Sequence, residues 1–303
     1  MKINSSNILT LLALCLILPG LHPTPSYSQF QKGKIAFSAN INSNWDIFVM
    51  DDNGNNIRQL THTPFDERSP AISPDKKQIV YASSDGSLGI MNIDGKENHP
   101  LDLPKGTYNY PAWFPNGKRL ILSSFIFIGP DTEDSDLWIY DMEDKTTDKA
   151  LKQTGSQVYP ACSGRSTELV YSLLISGPHR QISHQLWKYN PQTQKARQLL
   201  IGHFNDMHPA LSPNENHIAF VSDRSGNYDL WLTDSDGNDL RQLTRDQTAD
   251  INPVFSPDNS RILFVSNRTG IYELWQIDIQ TRKTEKLSPF KEKKIEIRDP
   301  SWK

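Results

Sequence analysis

Six prolines recur along the chain, and their spacing limits the fold more than any other feature. Pro70, Pro111, Pro160, Pro209, Pro253 and Pro300 are separated by 41, 49, 49, 44 and 47 residues. Their surroundings match. Pro70-Ala71-Ile72-Ser73-Pro74-Asp75 parallels Pro209-Ala210-Leu211-Ser212-Pro213-Asn214 and Pro253-Val254-Phe255-Ser256-Pro257-Asp258. Pro111-Ala112-Trp113-Phe114-Pro115-Asn116 carries Phe for Ser, and Pro160-Ala161-Cys162-Ser163-Gly164 lacks the second proline. A unit of this length buries its apolar face only by stacking on its neighbours.

Each unit reads as four strands. The first is the short Pro-Ala-apolar run. A turn follows with proline at its second position, where a fixed φ suits a type I turn. The second strand is apolar and β-branched, as in His217-Ile218-Ala219-Phe220-Val221 and Arg261-Ile262-Leu263-Phe264-Val265. After a polar hairpin, the third carries an acidic-apolar-aromatic triplet: Asp46-Ile47-Phe48, Asp136-Leu137-Trp138, Asp229-Leu230-Trp231 and Glu273-Leu274-Trp275. Gly89-Ile90-Met91 and Gln185-Leu186-Trp187 read as departures from it. The fourth ends in Gln59-Leu60-Thr61, Gln242-Leu243-Thr244 or Lys286-Leu287-Ser288. Four short strands every 40 to 50 residues predict an all-β fold, a β-propeller with four-stranded blades. A β-sandwich would space its strands irregularly and repeat no triplet.

The ends of the repeat set the blade count. Gly33-Lys34-Ile35-Ala36-Phe37 begins at the second strand of a unit, and Ile295 to Lys303 forms a first strand with nothing after it. The two fragments make one blade. The expectation is a six-bladed propeller whose ring is closed by N- and C-terminal strands sharing one blade, with no sheet edge left open between blades.

These repeats resemble the TolB-like (WD40-like) propeller family of bacterial periplasmic proteins, over about residues 33–303. TolB itself carries an α/β domain and a partner-binding tail ahead of its propeller. Here a few residues separate the first strand from a leader, so the resemblance is to the propeller part only. It implies an envelope protein that binds partners through its channel face.

Ile8 to Leu18 is an eleven-residue apolar run, shorter than the roughly 20 residues of a membrane span. Lys2 precedes it, Pro19-Gly20 breaks it, and Ser26-Tyr27-Ser28 supplies small residues for cleavage. This is the layout of a signal peptide over residues 1–28, followed by one propeller domain over 29–303. The chain is then periplasmic or secreted, with no membrane span after cleavage. The alternatives are an uncleaved anchor and a lipoprotein box at Cys15, although Leu14 is too large for that box. Loss of Cys15 leaves Cys162 without an intramolecular partner. Cys162 reads as a small buried apolar residue. Net charge is −3 and the isoelectric point about 6.2, so no nucleic-acid partner is implied. A monomer is expected.

In a propeller the first strand of each blade lines the central channel. The residues just before the six prolines therefore form a candidate binding ring: Ser69, Tyr110, Tyr159, His208, Asn252 and Asp299, with Arg68 and Arg298 behind. Its polar, unequal composition fits a protein or peptide partner, or alternatively a glycan. The plainer reading is a hydrated channel mouth. Two long hairpins, in blades 3 and 4, form a candidate lip carrying Phe125, Phe127, His179 and Arg180. Alternatively, their strands simply pair with each other.

No cofactor or metal is implied. Asp131, Glu133, Asp134 and Asp136 lack the glycine and distal glutamate of a calcium loop. The pairs His179/His184 and His203/His208 have no evident carboxylate support. No nucleophile elbow or phosphate loop occurs. The enzymatic alternative is a glycosidase or lyase using Asp206, Asp250, Asp299 and His208 as acids and bases. The acidic residues of the third strands recur once per blade, which predicts structural hydrogen bonds between blades. Trp231 and Trp275 of the same triplets read as core.

Overall fold

The computed structural model describes residues 33–127, 133–162, 167–176, 182–287, 289–290 and 295–303, and the side chains of residues 125–134 fall outside that description. The leader, His179 and Arg180 lie outside the described residues, as do the side chains of Phe125 and Phe127. The described residues form six four-stranded antiparallel sheets. The innermost strands of blades 1 to 6 are Ile297–Trp302, Glu67–Ile72, Thr107–Trp113, Ser156–Cys162, Asp206–Leu211 and Asp250–Phe255. The ring closes as the repeat predicts. Ile297–Trp302 pairs with Lys34–Ile41, and Lys34 and Lys303 exchange backbone hydrogen bonds of 2.7 and 3.0 Å.

The cores lie between adjacent blades. One apolar cluster joins Ile35, Phe37 and Met50 of blade 1 to Leu263, Val265 and Leu274 of blade 6. Second strands supply more of the buried apolar residues than any other strand of the blade. Ile35, Ile79, Leu120, Leu169, Ile218 and Ile262 occupy equivalent places and are all fully buried. Burying each side chain stabilises the fold by roughly 1.5–3 kcal/mol.

The register corrects one alignment. Tyr81 pairs with Gly89, as Phe220 pairs with Trp231 and Phe264 with Trp275. The blade 2 triplet is therefore Ser87-Leu88-Gly89, two residues earlier than the sequence suggests. Glycine replaces the aromatic residue because the Tyr81 ring fills its place: a Cβ at Gly89 would meet that ring at 2.2 Å. Trp231 and Trp275 are also repositioned. They are half-buried at the blade flanks under the guanidinium groups of Arg224 and Arg268, at 5.1 and 4.6 Å, while the preceding Leu230 and Leu274 are fully buried.

The third-strand acids bond mainly within their own blade, and Asp46 also reaches Glu67 on the innermost strand of blade 2. Asp46 accepts hydrogen bonds from Gln59 and Thr61, and Asp229 from Gln242 and Thr244. Thr61 and Thr244 in turn accept from the backbone N–H of Ile47 and Leu230, at 2.9 and 3.0 Å. The threonine hydroxyl thus continues the ladder past a fourth strand of only two residues, Arg58–Gln59 or Arg241–Gln242.

Candidate functional site: the channel mouth

Each innermost strand breaks register at its proline. The shifts fall between Arg68 and Ala71, Asn109 and Ala112, Val158 and Ala161, Met207 and Ala210, and Ile251 and Val254, and opposite Ala36 and Ser38 in blade 1. At every break the residue before the proline has a left-handed backbone. The φ angles are 52° at Ser69, 49° at Tyr110, 53° at Tyr159, 49° at His208, 51° at Asn252 and 52° at Asp299. This region costs an ordinary L-residue about 1–2 kcal/mol. A bulge of this kind re-aims a side chain. Here it brings all six to one throat of about 130 Å³ with their prolines. The ring expected from sequence is assembled in full.

Chain direction sets the rest of the site. Innermost strands start at this end, so the links into them and the hairpins between second and third strands surround the same mouth. A wider vestibule of about 440 Å³ opens there, lined by Trp45, Arg68, Arg298 and Glu296 together with ring residues. Beyond the throat a chamber of about 410 Å³ is lined by Ala71, Ala112, Ala161 and Ala210, among others. Cys162 lines that chamber half-buried, not sealed in the core as its sequence context suggests, and burial pushes its thiol pKa up.

The mouth has two unlike sides. Across blades 3 to 5 the ring is aromatic: Tyr110 and Tyr159 have centroids 4.4 Å apart, and Tyr159 and His208 meet edge-to-face at 4.1 Å. Burial pushes the tyrosine pKa values up. Burial also keeps His208 neutral and pushes its pKa down to about 3, with His184 and Arg298 adding to the effect. Its Nδ1 is buried with no partner among the described residues. Across blades 6, 1 and 2 the mouth is charged. Arg68 lies over Trp45 at 3.7 Å, with Asp299 4.0 Å from its guanidinium. Arg298 lies over Tyr272 at 3.4 Å and donates to Glu296. Burial raises the Asp299 pKa, and Arg68 opposes that rise.

Asp206 and Asp250 are placed differently from the sequence reading. Both are buried behind the ring, where Arg224 reaches Asp206 at 2.6 Å and Arg268 reaches Asp250 at 3.0 Å. Arg224 and Arg268 also donate to Ser222 and Ser266 of the neighbouring strand. These two carboxylates are committed to ion pairs within blades 5 and 6. Sequence reading missed the arginines. The clue was the recurrence of Ser222-Asp223-Arg224 as Ser266-Asn267-Arg268 at the same offset as Asp206 and Asp250.

Fold and site together define a six-bladed propeller with an asymmetric channel mouth. Residues 180–302 match the family model described as the TolB beta propeller domain. The Tol-Pal system protein TolB of Methylococcus capsulatus is 41% identical over 69 residues, which is 23% of this chain and 16% of that protein. The matched stretch is thus a minor part of that relative's length. A crystal structure of TolB from Acinetobacter baumannii superposes with a TM-score of 0.70 at 17% identity, covering 89% of this chain and 66% of that one. A chain of a nidogen/laminin complex superposes with a TM-score of 0.69 at 10% identity, covering 89% and 98%. At such identities the likeness shows the fold alone. Residues 180–302 are thus similar to the TolB propeller, and the likeness is to the propeller part.

Proposed function

We propose that this is an exported propeller that binds a protein or peptide of the cell envelope through its channel mouth. One observation carries the reading. Six blades with near-identical interiors deliver six non-equivalent side chains to one throat through the same strained bulge. Strain kept at one position in every blade fits a site whose side-chain directions matter. Tyrosine, tryptophan and arginine, which dominate binding energy at protein interfaces, are grouped there. The matches to TolB proteins support an envelope setting, and the apolar leader supports export.

The glycosidase or lyase alternative keeps fewer groups. Asp206 and Asp250 are held by arginines, which leaves Asp299 as the carboxylate among its four residues that lies in the throat. Glycoside hydrolysis uses a pair.

The test is crosslinking capture from envelope extracts with the mature protein and with the Tyr110→Ala, Tyr159→Ala, His208→Ala triple variant. A protein captured by the first and lost from the second is the expected result. Equal capture by both would move the site away from the throat. Amino-terminal sequencing of the exported protein is expected to start at Gln29.

A further inference from the structure

Six large apolar side chains are exposed among the described residues: Phe65, Ile182, Ile201, Phe204, Tyr228 and Leu240. All but Leu240 sit on loops or strand ends of the mouth face. Four of them occupy one arc. Ile182 starts the third strand of blade 4, Ile201 and Phe204 lie on the link into blade 5, and Tyr228 ends the blade 5 hairpin. Hydrogen bonds tie these loops together, from the His184 N–H to Asn205 Oδ1 at 3.3 Å and from Asn205 Nδ2 to Asp223 at 2.7 Å. In a ring of six, blade 4 faces blade 1 and blade 5 faces blade 2. The apolar arc is therefore across the channel from Arg298 and Arg68. The Arg68 guanidinium makes no hydrogen bond among the described residues, and Trp45 holds it flat at the rim.

We propose that the mouth takes an extended segment of a partner protein carrying two anchors: an aliphatic or aromatic side chain seated on the blade 4–5 arc, and an aspartate or glutamate bound by Arg68 and Arg298 across the channel. The inference rests on the binding role proposed above and specifies its ligand. A guanidinium stacked on an aromatic ring and holding free donors is arranged for a carboxylate. An exposed apolar stretch rimmed by polar groups marks an interaction site, and these four residues are carried on adjoining segments at one side of the mouth. Asp299 stands 4.0 Å from the Arg68 guanidinium, beyond hydrogen-bond distance, and burial raises its pKa. A basic segment would meet the Arg68 guanidinium, while Arg298 shares its charge with Glu296.

The experiment is an immobilised array of random octapeptides probed with the mature protein, with Arg68→Gln/Arg298→Gln and with Ile182→Ser/Phe204→Ser. All four residues are at least partly exposed, and equal melting temperatures confirm that the variants fold. The expected binders pair Asp or Glu with Leu, Ile, Phe or Trp. The arginine variant is expected to bind them at least tenfold more weakly and to lose only the acidic preference. The Ile182/Phe204 variant is expected to lose only the apolar preference. Binders rich in lysine, or preferences unchanged in both variants, would overturn the proposal. So would capture of an envelope protein through the throat with no paired signature on the array, which leaves the broader reading standing. Failure of both array and capture would overturn the two together.

Discussion

Two positions on neighbouring strands follow opposite rules. In the second strands, Ile35, Ile79, Leu120, Leu169, Ile218 and Ile262 repeat in type and in complete burial. One strand further in, Ser69, Tyr110, Tyr159, His208, Asn252 and Asp299 share a backbone angle and nothing else. The first position is set by volume, because two packed blades leave one shape to fill. The second is set by backbone geometry, because proline and bulge fix where the side chain points while the channel leaves its identity open. The propeller thus separates what holds it together from what it presents.

That separation can be broken, beginning with the largest effect. Deleting Ile297 to Lys303 removes the innermost strand of blade 1 and is expected to lower the melting temperature sharply; unchanged melting would refute closure through a shared blade. Phe264→Ala, in a fully buried position, is expected to cost about 3–5 kcal/mol by chemical denaturation. The same truncation in the ring, Tyr110→Ala, should cost far less, and equal costs would dissolve the distinction. Asp206→Asn leaves Arg224 buried without its carboxylate and should cost about 3 kcal/mol. Asp250→Asn should cost less, because Arg268 keeps Asp246 at 2.9 Å. Trp231→Ala, at a half-buried flank, is expected to cost about 1–2 kcal/mol, and a core-sized loss would restore it to the interior.

The smallest effect depends on pH. His208 is held neutral with a pKa near 3, whereas an unfolded imidazole titrates near 6.5. The unfolded chain therefore takes up the proton first, and stability falls as the pH drops below about 6.5. His208→Asn is expected to recover about 1–2 kcal/mol of the loss between pH 7 and pH 5. The raised pKa values of Asp206, Asp250 and Asp299 act in the opposite direction in both proteins, so the difference between them isolates His208. Equal losses in both would show that the ring is wet enough to charge.

Most of this architecture was legible in the sequence, because proline marks the same bulge in every blade and the strands between keep their period. The ring residues followed from that spacing. What was not legible depended on partners far along the chain. Asp206 and Asp250 read as free acids until Arg224 and Arg268 folded back from the next strand. The triplet in blade 2 was misplaced because Tyr81 and Gly89 had exchanged bulk across the sheet, leaving no aromatic residue to mark the register. The Arg68 and Trp45 pair joins two blades, and no local pattern announces it.

The shared blade also bears on the order in which the molecule forms. Blades 2 to 6 are each drawn from one contiguous stretch and can assemble as it becomes available. The clasp of Ile35 to Trp302 joins strands with the rest of the propeller between them. Bringing such distant segments together costs about 5 kcal/mol of chain entropy for a loop of this size. Closure therefore waits for the other blades to hold the two segments near each other. Until then blade 1 offers Lys34–Ile41 as an unpaired edge, a template for the same strand of another copy. Crowded newly made chains would exchange closing strands, while dilute ones would close on themselves.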